Sequence, residues 1–332
     1  MTLETRRLGG TSVEVTVLGL GGATLGGNRV RLTDTDARVM VLDAWDSDIR
    51  YFDTAPFYGY GRSEHLMGDG LRQKDGWVLS TKVGRRLKAR RTPQALDDAW
   101  INPLPFEYDF DYSYDGAMRS YEDSIQRLGL DHIDILYIHD IDGFTHGAER
   151  QHEMHRAAME GAYRALDELR RNGDIKAIGI GVNEANPIAN ALEHGQWDVF
   201  LLAGRYTLLE QEPLDSLLPA LEKHGASVVI GGPFNSGILA GRETWNYVKA
   251  PQNVMERVEA IARVCDSHGV PLPAAALQFP LAHPQVASTI PGPRSAAELN
   301  EIIDWMGLEI PASLWSDLKT EGLIHADAPV PR

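Results

Sequence analysis

The sequence predicts an α/β protein built on eight parallel strands, either a closed (β/α)8 barrel or an open doubly wound sheet. Two observations lead there. Eight short apolar runs of buried-strand character recur along the chain, bounded by turn residues, and helical segments lie between them. The chain has 332 residues and no linker, repeat or low-complexity tract that would split it, so a single domain over 1–332 is expected.

The elements follow in order. RRLGGTSVEVTVLG reads as a hairpin: Gly9-Gly10 makes the turn, and Val13, Val15 and Val17 alternate as in a plug across a barrel bottom. The eight runs are VLGLGG (17–22), IRYFDTA (49–55), WVLSTKVG (77–84), IDILYIHD (133–140), IKAIGIGVN (175–183), WDVFLLAG (197–204), ASVVIGG (226–232) and QVASTIPG (285–292). TDTDARVMVLDAWDSD follows the first run as a helix. DGAMRSYEDSIQRLG sets Met118, Tyr121, Ile125 and Leu128 on one helical face and stops at Gly129, and YRALDELRRNGDIKAIG repeats the plan with Gly173. Two segments break the rhythm. Residues 85–114 read as a long loop carrying Trp100, Phe106, Tyr108, Phe110, Tyr112 and Tyr114, and 140–156 as a second loop rich in histidine. The basic run Arg85, Arg86, Lys88, Arg90 and Arg91 reads as a solvated face. GLGGATLGG fails as a dinucleotide fingerprint: Gly19 and Gly21 fit, but position 24 is Thr, and Asp43, the acid about 20 residues on, lies in a predicted helix. That leaves the doubly wound sheet as the poorer alternative.

Composition narrows the partners. The net charge of −15 argues against nucleic acid and against an anionic membrane surface, since both require a basic footprint. No apolar segment reaches the ~20 residues of a membrane span, and MTLETRRLGG lacks the apolar core of a signal peptide, so a cytoplasmic protein is expected. The single cysteine, Cys265, excludes an internal disulfide and falls on the helical stripe Val254, Val258, Ile261. His146, His152 and His155 show no convincing ligand spacing, so no metal is expected.

In a (β/α)8 barrel the chemistry gathers at the C-terminal ends of the strands. Those ends carry Asp53, then Tyr58 across a Pro-bearing turn, Lys82 and His139, on neighbouring strands. A carboxylate that holds an ammonium against a phenol is expected to lower the phenol's pKa and make it an acid or base near neutrality. A histidine beside it can orient a substrate oxygen. Tyr58 suits that role better than Tyr60, which sits between Gly59 and Gly61 and is expected at the rim.

Taken together, FDTAPFYGYGRSE, the lysine in STKVG, the histidine in DILYIHD, GGPFNSGILAGR and IPGPRSAAELNE resemble an aldo-keto reductase over essentially the whole chain. The resemblance implies the closed barrel with long loops at its C-terminal face, a nicotinamide cofactor, no metal, and Asp53, Tyr58, Lys82 and His139 as the catalytic tetrad. It further implies Asn183 at the nicotinamide carboxamide. Tyr206, Pro233, Phe234, Ser236, Gly237 and Arg242 would lie along the ring and pyrophosphate, and Gly292, Arg294, Glu298 and Glu301 at the adenosine end. Gly292-Pro293 is expected to open a helix whose N-terminus receives an anion. The family's usual stacking aromatic falls on Gly231 and its usual Gln on Ala203, leaving Tyr206 or Phe234 to fill that space. Glu298 near the adenosine ribose favours NAD over NADP.

DYSYDG, SIQRLGLDHIDILYIHD and GRYTLLEQ are similar to the aldose 1-dehydrogenase branch, which includes fucose, galactose and D-threo-aldose dehydrogenases and pyridoxal dehydrogenases. That likeness implies oxidation of a hemiacetal hydroxyl to a lactone on a sugar or pyridoxal-like aldehyde, with Trp100, Tyr108 and Tyr114 stacking on the substrate. An NADPH-dependent aldehyde or ketone reductase is the alternative within the family. A cofactor-sensing regulatory subunit is the alternative outside catalysis. The sequence is compatible with a monomer or a homo-oligomer.

Overall fold

The structure, a computed structural model, describes residues 2–91 and 99–331. It opens with an antiparallel hairpin, β1 (Thr5–Arg7) and β2 (Glu14–Thr16). Three barrel strands follow: β3 (Leu20–Gly21), β4 (Tyr51–Asp53) and β5 (Val78–Val83). An antiparallel pair, β6 (Arg85–Ala89) and β7 (Phe106–Phe110), stands outside the barrel. The barrel resumes with β8 (Ile135–His139), β9 (Ala177–Val182), β10 (Val199–Ala203) and β11 (Ser227–Gly231). A small hairpin, β12 (Thr244–Trp245) and β13 (Val248–Lys249), precedes the last barrel strand, β14 (Val286–Ile290). The eight barrel strands pair in parallel in chain order. A parallel bridge from Leu18 to Thr289 joins the two edges, with Gly19 N–H to Thr289 O and Thr289 N–H to Val17 O both at 2.9 Å.

Two-residue alternation divides each strand between two cores. Tyr51, Ile135, Tyr137, Val199, Val229 and Ala287 point inward and form one cluster with Leu8, Val13 and Val15. The N-terminal hairpin therefore seals the barrel bottom, as its sequence predicts. The alternate residues, Phe52, Leu136, Ile138, Phe200 and Val228 among them, face the helices in the larger outer core. Helix ends follow local chemistry. Ser113 Oγ caps the helix Tyr114–Leu128 by accepting from Gly116 N–H at 3.0 Å, and Gly129 closes it at φ 61°. Cys265 lies buried on the helix Gln252–Ser267, and burial pushes its thiol up to about 11.

The two segments read as loops are more ordered than expected. Residues 85–114 contain the β6–β7 ribbon, whose register sets Arg86 opposite Asp109 and Lys88 opposite Glu107. Its strands are about 20 residues apart in sequence, so no local period announced them. Residues 92–98 of that segment lie outside the described residues. In 140–156, Asp142 caps a short helix, Gly143–His146, through Thr145 N–H, and a second helix begins at Gln151. No helix among the described residues is long and apolar enough to cross a membrane.

Candidate active site

Strand register brings three of the four expected side chains together. Asp53 ends β4, Lys82 is the penultimate residue of β5 and His139 ends β8, on adjacent strands. Lys82 Nζ donates to both Asp53 oxygens, at 2.7 and 2.9 Å, and to Thr54 O at 2.8 Å. The pair is buried, with side chains 1% and 2% exposed. Tyr58 comes from the turn after β4. Its ring centroid is 4.7 Å from Lys82 Nζ and 6.0 Å from the His139 ring, which it meets edge-on.

The turn explains FYGYG. Gly59, Tyr60 and Gly61 all take left-handed backbone, φ 63°, 53° and 93°. A Cβ on Gly59 would run into the Gly26 carbonyl. The tight reversal turns Tyr58 into the cleft and buries Tyr60, which is 3% exposed and packs 6.0 Å from Phe57. Tyr60 is thus a packing residue and not the rim residue expected of it.

The electrostatics correct a second expectation. All three donors of Lys82 are committed to Asp53 and Thr54, and Asp53 offsets the ammonium's charge. Burial holds the Tyr58 phenol well above its ordinary value, Asp53 and Asp140 add to this, and Arg85 opposes it. Burial, with Arg85 and Lys82 nearby, keeps His139 well below the usual histidine range. At neutral pH the chain's own groups therefore present a protonated phenol and a neutral imidazole.

Two clefts meet at Tyr58. The first, about 380 Å³, is walled by Phe57, Trp100, Tyr108, Phe144 and Tyr247 and also contains Arg85 and Asp140. Trp100 and Tyr108 lie where the sequence reading put them. Tyr114 does not: it starts the helix Tyr114–Leu128, hydrogen-bonds Glu168 and packs against the outer core. Arg85 was read as part of a solvated basic face. It is instead 4% exposed, pairs with Asp140 at 2.7 Å and is packed among rings, with Phe57, Phe110 and Tyr108 centroids 4.2, 4.7 and 5.3 Å away.

The second cleft, about 390 Å³, runs from Asp53 and Tyr58 past Gly231 and Gly232 to Gly292 and Glu298. Pro233, Phe234, Ser236, Gly237, Arg242 and Arg294 line it as expected. No atom lies within 3.9 Å of a Cβ placed on Gly232, so the floor there is open space bounded by bare backbone. A long groove with glycine backbone at its centre and arginines toward its far end fits a dinucleotide. Asn183 lines the first cleft and accepts from Tyr247 O–H at 2.9 Å.

Three cofactor expectations fall elsewhere. Tyr206 is fully buried behind the groove against Phe279 and His283 and cannot reach a ligand. Glu301 is exposed on the helix Ala296–Met306 and does not line the groove. That helix starts three residues after Pro293, because Ser295 and Glu298 form a capping pair: Ser295 Oγ accepts from Glu298 N–H at 3.1 Å. An aromatic that the sequence reading missed, Tyr247, lines both clefts, sharing them with Ala203. It sits in the two-residue β12–β13 turn, with Asn246 at φ 48° and Tyr247 at φ 65°. The sequence carried no signal for it beyond the short TWNYVK stretch. Among the described residues, no group of three or more His, Cys, Asp or Glu could hold a metal ion.

The aldo/keto reductase family model matches residues 17–320. The chain belongs to the aldo/keto reductase family. Among curated relatives, the pyridoxal 4-dehydrogenase of Microbacterium luteolum is 49% identical, covering 97% of this chain and 98% of its own length. The D-threo-aldose 1-dehydrogenase of a Pseudomonas species is 38% identical over 93% of this chain and 95% of its own. Among solved structures, the holo form of an aldo-keto reductase from Bacillus halodurans superposes with a TM-score of 0.77, at 23% identity and 98% coverage of both chains; it shares the fold. As a member of this family the chain is an oxidoreductase of small molecules that uses a nicotinamide cofactor.

Proposed function

We propose that this aldo-keto reductase oxidises the hydroxyl of a cyclic hemiacetal to a lactone, with NAD as the preferred acceptor. The observation that carries the reading is the joint placement of Tyr58 and His139 where the aromatic cleft meets the glycine-floored groove. A nicotinamide dinucleotide held by the residues of the second cleft would supply the hydride acceptor. Tyr58, in its phenolate form, would take the hemiacetal O–H proton as the C–H hydride leaves for the acceptor and the C–O bond becomes the lactone carbonyl. His139, neutral, donates a hydrogen bond that orients the reacting oxygen. Lys82 and Asp53 fix the floor beneath the phenol.

The favoured substrate is a flat hemiacetal of the pyridoxal kind, whose hydroxymethyl group closes on the neighbouring aldehyde. Support comes from the ring-lined cleft and from the 49% identity to the Microbacterium luteolum enzyme. Aldoses come second, on the 38% identity to the D-threo-aldose dehydrogenase. The test is NADH formation from pyridoxal, L-fucose, L-galactose, D-arabinose and L-xylose at mildly alkaline pH. Because the chain holds the phenol above its ordinary value, the base form is scarce at neutrality. Oxidation should therefore speed up about tenfold per pH unit until Tyr58 ionises in the complex, whereas aldehyde reduction, which uses the protonated phenol, should stay flat over that range and slow only above it. No oxidation of any of the five would reject the reading.

NAD preference rests on Glu298, which both presents a carboxylate to the adenosine end and engages Arg242 at 2.5 Å. Glu298→Gln releases Arg242 for a 2′-phosphate. It should raise kcat/KM with NADP relative to NAD by about tenfold, the scale of one charge-assisted hydrogen bond. A wild-type tenfold preference for NADP would overturn the assignment.

A further inference from the structure

Asp140 follows His139 at the barrel mouth and has no part in the tetrad. Its backbone is left-handed, φ 52°, a conformation that costs energy for any residue but glycine. It is kept there by its own N–H, which donates to Gly181 O at 2.8 Å. One carboxylate oxygen, Oδ2, takes Arg85 at 2.7 Å and lies 3.4 Å from His139 Nε2. Among the described residues no donor reaches Oδ1. The side chain is 10% exposed, and it lines the aromatic cleft. Arg85 is itself immobilised among Phe57, Tyr108 and Phe110, so the carboxylate cannot swing away. The barrel does not need this arrangement. A nearly dry carboxylate with a spare oxygen, one step from the imidazole that meets the reacting oxygen, is poised to accept from a donor on the substrate.

We propose that Asp140, clamped by Arg85, selects substrates with a hydroxyl on the carbon next to the reacting one. The assignment rests on the hemiacetal reading above. In an aldose that group is the 2-hydroxyl. A substrate with hydrogen there leaves Oδ1 desolvated and unpaired. Asp140 acts as a specificity residue and Arg85 as its positioning residue.

The test is a ratio of kcat/KM within a matched pair, L-fucose against 2-deoxy-L-fucose. The wild type should favour the hydroxylated member by about 10- to 100-fold, as expected for a hydrogen bond to a charged group. Asp140→Asn, which tolerates the left-handed backbone, should bring the ratio to within about threefold of unity. A wild type without preference, or a variant that keeps the wild-type ratio, overturns the proposal. NADH titration by tryptophan quenching reports folding independently, because Asp140 does not line the dinucleotide groove. Should Asp140→Asn fail that titration, Arg85→Gln carries the same comparison by unclamping Asp140, and an unchanged ratio there is equally fatal. If no hemiacetal is oxidised at all, the function reading fails, whereas lactaldehyde against propanal in the reductive direction still decides the role of Asp140.

Discussion

Tyr58→Phe lowers kcat by more than about a hundredfold in both directions, the usual share of a positioned acid or base. The phenol lies at the junction of the two clefts beside Lys82 and His139, and Tyr60 cannot substitute for it, being buried beneath the turn. The substitution removes one oxygen and keeps the ring that packs 5.9 Å from Trp100, so thermal stability should change little. Stopped-flow hydride transfer with pyridoxal or L-fucose measures the effect. Full activity would move the proton transfer to another group. An unchanged rate with a shifted pH profile would point to water as the carrier.

Lys82→Met should be worse, because it removes two things at once. Turnover should again fall by more than about a hundredfold. The fold should also lose about 3–5 kcal/mol, since Asp53 would be left as a buried carboxylate without its cation. Ser80 Oγ, which donates to Asp53 at 2.7 Å, is too weak a replacement. Adding Asp53→Asn removes the stranded charge. The double variant should recover most of the stability and none of the turnover, as read by urea unfolding and by initial rates. If the single variant is as stable as the wild type, the ion pair is not what holds these strand ends together.

Much of this was legible in the sequence, and the reason is local. The alternation of strand and helix reflects periods of two and 3.6 residues, and each period is written in its own segment. Asp53, Lys82 and His139 were legible because strand ends can be counted, and parallel order then makes neighbours in sequence neighbours in space. The glycines at 59 and 61 marked the turn, and the turn decided between two tyrosines. Pro233, Phe234, Ser236 and Gly237 were named only through the family resemblance, and they line the groove because they follow directly from the end of β11.

What failed depended on contacts between distant segments. Arg85 looked like one cation in a basic loop; only the pairing of β6 with β7, and the approach of Asp140, buried it. Tyr206 looked like a ring beside the cofactor, yet packing against Phe279 and His283 turned it into the core. Tyr247, from a hairpin some forty residues later, lines both clefts, a relation with no local period to betray it. The phenol's expected shift also failed, because burial, joined by Asp53 and Asp140, raises it, while Lys82 is committed to Asp53 and Thr54. The sequence by itself determined the order of strands and which side chains stand at their ends, since both follow from short-range periodicity. The tertiary structure alone decided which of those groups are buried, which are paired and therefore what charge each carries, because desolvation and ion pairing arise only when remote segments close over one another.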